Sequence, residues 1–299
     1  MAKQISAVAW VVLIVLALIW GSSFILIKRG LVIFSAGEVG ALRILAAGIF
    51  LMPVSLFKLK NLTAQQWKLL FFVGLVGSFI PAFLFATAQT QLESSVAGIL
   101  NALTPLFVML IGAVFFTQKI TQRVAIGLGI GFLGTVFLIM AGSGADLSSL
   151  NHYALYVVVA TICYGANINL IKFKIPDIDA RSITAISLLI VTPVATTYLF
   201  GLTDFMVKMQ QVEGATTAFG YIVLLGVMGT AVALILFNHL VKITTPIFTS
   251  SFTYLIPIVA VIWGLLDGEV LLPGHFIGMV AIIVGVYLAN KKKRTATNP

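Results

Sequence analysis

Polar residues appear at fixed places inside stretches that are otherwise apolar. Trp20, Gly21, Ser22 and Ser23 form one group, and Tyr164, Gly165, Asn167 and Asn169 form another. Asn101 and Thr104 precede Pro105, while Thr249, Ser250, Thr253 and Tyr254 precede Pro257. Gln89 and Asn238 add two amides, and Phe83 a further ring. The chemistry these types offer is binding: hydroxyls and amides hydrogen-bond a small molecule, and Trp20, Phe83, Tyr164 and Tyr254 give it flat apolar walls. Catalysis is not expected. The serines have no buried His, Lys or carboxylate to activate them, and no Asp or Glu sits in the middle of an apolar stretch. His152, His239 and His275 lack metal-ligand spacing, so no metal or cofactor is expected, and His239 is the one histidine with a route to a cavity proton site. Packing competes with binding at every position, because Gly and Ser let membrane helices approach and Ser and Thr bond carbonyls one turn back. Arg43 is expected to snorkel to the surface or to pair with Glu38, the alternative being that it attracts an anionic group such as a substrate carboxylate.

Ten apolar spans must position these groups: 6–27, 37–57, 68–91, 95–117, 122–141, 153–172, 181–202, 216–241, 246–266 and 274–290. Each is about the length that a helix needs to cross a bilayer, roughly 20 residues. Hydrophobic residues make up 60% of the chain and charged residues 9%, which excludes an ordinary soluble domain. Lipid offers the backbone no partner, and continuous apolar runs choose helices over barrel strands. The net charge of +9 does not imply nucleic acid, because the basic residues sit between spans rather than in a patch. Residues 8–27 outrun a signal-peptide core, and no small-x-small site precedes Lys28 and Arg29, so this stretch is expected to stay as a span. Cys163, the single cysteine, allows no intrachain disulfide.

The chain repeats at about half its length. Pro105 and Pro257, Gly112 and Gly264, Gly74 and Gly226, and Gly77 and Gly229 are each 152 residues apart. The expected architecture is an all-α membrane protein of ten transmembrane helices in two five-helix units, 1–145 and 146–290, followed by a basic tail at 291–299. With both ends cytoplasmic, 14 of the 18 basic residues fall on the inner side, which sets the orientation. An odd number of spans per unit then inverts the second unit, and such inverted repeats hold a substrate site at their interface. Trp20 and Tyr164 should face each other across the pseudo-axis. Pro81, Pro105, Pro193 and Pro257 are expected to interrupt their helices. Pro105 and Pro257, helped by Gly112 and Gly264, are the expected gate hinges. Gly127, Gly131 and Gly134, with Gly278 and Gly285, should clamp the two halves together.

WGSSF at 20–24 and LTPLFVMLIGAVFF at 103–116, with their echoes CYGANI at 163–168 and LIPIVAVIWGLLDGE at 255–269, carry a resemblance. The chain resembles the EamA-type members of the drug/metabolite transporter superfamily. That resemblance implies export of small metabolites, often amino acids or related compounds, through a central cavity lined by the first, third, fourth, sixth, eighth and ninth helices. The family often carries a Glu just after the fourth helix of each unit. Glu269 keeps it in the second unit, whereas Gln118 replaces it in the first, which weakens any gating ion pair on the cytoplasmic side. Without a mid-span acid, flux down a gradient, or coupling through something other than a buried acid, is expected rather than carboxylate-based proton antiport. The spans show no basic cavity for phosphate esters. A multidrug exporter and a membrane scaffold or receptor are the rival readings. The expected partners are a small-molecule substrate and the lipid bilayer, and the duplication favours a monomer.

Overall fold

The computed structural model describes residues 7–58, 62–117, 122–142, 152–244 and 246–290. Gln118 and the tail 291–299 lie outside the described residues. Every regular element described is helical. The main helices are α1 (Ala7–Leu31), α2 (Ala36–Lys58), α3 (Ala64–Ala88), α4 (Ser94–Phe115), α5 (Gln122–Gly142), α6 (Ala154–Lys174), α7 (Ala180–Gly201), α8 (Ala215–Ile243), α9 (Ile256–Leu266) and α10 (Pro273–Asn290). A short helix, Phe205–Gln211, joins α7 to α8, and another, Pro246–Ser250, leads into α9. Seven of the described helices, α1 to α4 and α6 to α8, are long and apolar enough to cross a membrane. The ninth expected span is not one unbroken helix: a 3-10 segment, Ser251–Tyr254, divides it ahead of Pro257.

The interruptions come in pairs. α3 loosens to a π-helical segment at Leu75–Phe79, and α8 does so at Leu225–Val232. α4 tightens to a 3-10 segment at Asn101–Leu103, and its repeat mate is Ser251–Tyr254. Pro81 and Pro105 lack an N–H to give the carbonyl one turn back, so the helix adjusts just before each of them. At Asn101 the Thr104 hydroxyl donates to the freed carbonyl at 2.8 Å. No proline stands near the α8 segment, which holds Gly226 and Gly229 instead. Pro193 does not interrupt its helix as expected, for α7 runs on through it, as α2 does through Pro53.

α2 packs on α7, and α5 on α10. α1 packs on α8 and α9, and α6 on α3 and α4. Exchanging α1–α5 for α6–α10 turns each of these pairs into another of the set. The first half of α4 meets α9, and its second half meets Pro246–Ser250, which precedes α9, so the two run antiparallel. Along α5 and α10 a Cβ on Gly285 would lie 2.5 Å from Gly131 N and 2.6 Å from Gly127 O. Gly134 would meet Ala281 at 2.7 Å and Gly278 O at 3.1 Å. These glycines bring the backbones into contact, as their spacing predicts. Repeat-equivalent turns end α4 and α9, the first through Thr117 (φ 54°) and the second through Gly268 (φ 83°).

Candidate substrate cavity

All four interruptions border one central cavity with about 740 Å³ of space not filled by atoms, part of it open to the outside. α1 contributes Trp20, Ser23, Phe24 and Ile27, and α6 contributes Tyr164, Asn167 and Ile168. Gly77 and Ser78 come from the π segment of α3, Gly229 and Thr230 from that of α8. Asn101 and Thr104 on α4 and Phe252, Thr253 and Ile256 around the start of α9 complete the wall with Phe85, Leu234 and Phe237. Six helices supply these residues, the six that the resemblance implies. α2 adds a seventh contribution, Arg43.

The glycines of the π segments are receptors for side chains. A Cβ on Gly77 would lie 2.7 Å from Asn167 Nδ2, and one on Gly229 would lie 2.9 Å from Ser23 Oγ. Trp20 Nε1 donates to the Gly229 carbonyl at 2.7 Å. A bond of this kind contributes about 0.5–1.5 kcal/mol net and fixes the indole against the cavity. Its ring packs on Phe237 and Phe252 at centroid distances of 5.4 and 4.8 Å. Tyr164 stacks on Phe85 at 5.9 Å across the cavity from that cluster.

Of the residues expected in the cavity, Trp20, Ser23, Asn101, Thr104, Tyr164 and Asn167 line it. Phe83 does not: it packs on Phe79 and Tyr198, at 4.8 and 5.8 Å. Two residues on, and so about 200° around the helix axis, Phe85 takes the place expected of it. Asn238 is also elsewhere, its Nδ2 bonded to Thr184 Oγ1 at 2.8 Å in the α7–α8 contact. Gln89 caps the end of α3, buried and away from the lining. Ser250 is buried beneath Thr253, whose hydroxyl bonds its carbonyl at 2.7 Å. The side chain of Tyr254 lies outside the described residues. Asn169 serves packing, donating to Val108 O and Gly165 O at 2.9 and 2.8 Å. Ser22 turns to Trp263, and His239 is exposed rather than in the cavity. Gly112 is buried in α4, and its carbonyl accepts from Phe116 N at 3.0 Å.

Arg43 overturns two expectations. It neither snorkels nor pairs with Glu38, which is held by Lys208 at 2.6 Å and by Ser35 N at 2.7 Å. Its guanidinium is buried, and Nε donates to Thr230 Oγ1 at 2.7 Å. Gly226 explains the placement. A Cβ there would come within 2.7 Å of Arg43 O, so α2 and α8 touch one turn from Thr230. The cavity is therefore not without a basic group, and among its described lining residues Arg43 carries the charge.

One end of the bundle is tied by ions. Lys28, at the end of α1, reaches Glu269 at 2.8 Å, Asp267 at 2.9 Å and Glu93 at 3.2 Å, and Arg29 pairs with Asp267. Ser94 and Ser95, opening α4, give the Glu269 carboxylate their backbone N–H groups at 3.0 and 3.1 Å and their hydroxyls as well. This is the end of a helix that favours an anion. Gly264 leaves the carboxylate room, since a Cβ there would strike Glu269 and Ser95. Burial alone would raise the Glu269 pKa. Hydrogen bonds from Lys28, Ser94 and Ser95 outweigh it and hold the carboxyl at about 2. The repeat mate of Lys28 is Lys172, 144 residues on, the same separation as Trp20 and Tyr164. Among the described residues Lys172 meets the carbonyls of Val241 and Thr244, at 2.9 and 2.6 Å.

The sign of the pH response follows from the lowered pKa of Glu269. Its contribution is present above the unfolded carboxyl value of about 4.3 and is lost as pH falls towards about 2. The gap in thermal midpoint between the wild-type chain and Glu269→Gln should therefore stay constant from about pH 8 to pH 5.5 and close below about pH 4. A gap that closed near neutrality would contradict this assignment.

Comparison with known proteins gives the same architecture. The EamA-like transporter family matches the chain twice, over residues 7–140 and 152–291. The chain belongs to this family. It is thus a membrane transporter with two copies of one domain, and not an enzyme. An uncharacterized transporter of Archaeoglobus fulgidus is 23% identical over 286 residues, covering 95% of this chain and 99% of that protein. The uncharacterized inner membrane transporter YedA of Escherichia coli is 26% identical over 297 residues, covering 94% and 90%. A solved crystal structure, 16% identical, shares the fold with a TM-score of 0.65 over 94% of this chain and 96% of that one.

Proposed function

We propose that the chain is an alternating-access exporter of small metabolites, amino acids or related compounds, in the inner membrane. Ten spans form two inverted five-helix repeats, 1–145 and 146–290, with both termini and the tail 291–299 in the cytoplasm. The antiparallel pairing of α4 with α9 supports the inversion, and the distribution of basic residues supports the orientation. The inner-membrane location is supported by the likeness to YedA. The internal duplication supports a working monomer.

The observation that carries this reading is a cavity lined by both halves, with the two ends of the bundle tied unequally among the described residues. Among the described residues the Lys28 end is held by ion pairs, and the lysines Lys172 and Lys242 at the other end bond backbone carbonyls. Rocking one half against the other exchanges which end is shut. Pro105 and Pro257, each next to a 3-10 segment, are the hinges in this reading, with Gly112 and Gly264 beside them. Among the described lining residues there is no Asp or Glu, which supports flux down a gradient. Proteoliposomes holding the pure protein should exchange labelled amino acids or related metabolites in counterflow, and Trp20→Ala and Tyr164→Ala should slow the exchange. Folded protein that carries no member of a broad panel would refute the reading.

A further inference from the structure

We propose that the cavity selects small amphipathic carboxylates of net charge minus one, docked on the guanidinium of Arg43. This rests on the reading of the cavity as the substrate chamber and narrows the substrate class. Arg43 is 8% exposed and lines the chamber. Its Nε is engaged by Thr230, and among the described residues no carboxylate and no other acceptor meets the remaining N–H groups. Glu38, the acid nearest in sequence, is already neutralised by Lys208. A buried cation without a counter-ion is costly, and a guanidinium presents a planar fork that a carboxylate matches with two parallel bonds.

In the same cavity, Asn167 holds an amide oxygen that is buried without a hydrogen-bond partner among the described residues. That free acceptor suits a hydrogen-bond donor near the carboxylate, such as a hydroxyl group. Five aromatic rings, those of Trp20, Phe24, Phe85, Phe237 and Phe252, also line the cavity and can take an aromatic or branched apolar body. An ammonium group would enter a chamber that already holds a cation and offers it only neutral acceptors. Cations are therefore rejected, and zwitterions bind less well than monoanions.

Three probes with one ring separate these cases: phenylpyruvate, phenylalanine and phenethylamine. Titration calorimetry on the purified full-length chain should rank them in that order, with about tenfold or more between the first two. Arg43→Gln should weaken phenylpyruvate by about 10- to 100-fold and remove the ranking. Arg43→Lys keeps the charge but loses the fork, so it should fall between. If the Arg43 variants do not fold, the wild-type ranking alone decides. Equal or tighter binding of phenethylamine or phenylalanine overturns the proposal, and so does a wild-type chain that does not bind phenylpyruvate. Phenylpyruvate binding with this ranking but no flux of any probe would end the transport reading and leave the anion site standing. Flux of a neutral or cationic metabolite, with phenylpyruvate neither bound nor carried, would do the reverse.

Discussion

A Lys28→Ala chain is expected to expose its central cavity on the face where the wild type is tied shut. Among the described residues Lys28 is the cation paired with Glu269, whose side chain is wholly enclosed. Removing one partner of a buried pair costs about 3–5 kcal/mol, and this pair is enclosed at Glu269 but one-third exposed at Lys28. Ser94 and Ser95 still bond the carboxylate, so the lower end of that range applies, about 3 kcal/mol. Every 1.4 kcal/mol is a factor of ten, so the open state on this face should gain about a hundredfold in population. The measurement is thiol labelling in proteoliposomes with an impermeant reagent added to one side at a time. Cys163→Ser removes the native thiol, and Ser23→Cys reports from the cavity. Labelling from the Lys28 face should rise and labelling from the other face should fall. Lys172→Ala removes only bonds to carbonyls and should shift the balance far less. Equal effects from the two lysine variants would remove the ionic tie as the cause of the asymmetry.

The second large effect concerns the clamp between α5 and α10. Gly285→Ala is expected to destabilise the whole bundle. Its methyl would meet backbone on the facing helix, Gly131 N, Gly127 O and Gly131 Cα, at 2.5, 2.6 and 2.9 Å. A flexible side chain can step aside, but a backbone cannot without separating the helices. Overpacking costs about 1–3 kcal/mol in ordinary cores, and the upper end is expected here. Gly129→Ala on α5 is the control, because a Cβ there meets nothing within 4 Å. Alanine favours a helix over glycine by about 1 kcal/mol, so this variant should be neutral or slightly stabilising. Thermal unfolding of the purified variants in detergent decides. Matching midpoints for Gly285→Ala and Gly129→Ala would show that the close approach of the backbones does not matter.

Helix type, the sites of Pro105 and Pro257 beside their interruptions, and the glycine crossing of α5 with α10 were all legible in the sequence. So was the polar content of the cavity at Trp20, Ser23, Asn101, Thr104, Tyr164 and Asn167. Each is fixed by residue type and spacing along one helix, or by the repeat. The interruption in α8 was not legible, because no proline marks it. Nor was the cluster of Lys28, Ser94, Ser95 and Glu269, which comes from α1, the start of α4 and the turn after α9.

What only the tertiary structure decided was the rotation of each helix about its own axis. A soluble helix announces its buried face by an apolar stripe. Here lipid and interior are both apolar, so hydrophobicity carries no signal of facing. Phe85 rather than Phe83 therefore enters the cavity, and Asn169 and Asn238 turn to neighbouring helices. Arg43 is the sharpest case. Its side chain is long enough to reach the surface, and the contact of α2 with Gly226 on α8 directs it inward to Thr230. The sequence by itself determined a duplicated bundle of apolar helices with polar groups at its centre. Which of those groups meet, and that a positive charge sits among them, was set by close packing between helices far apart in the chain.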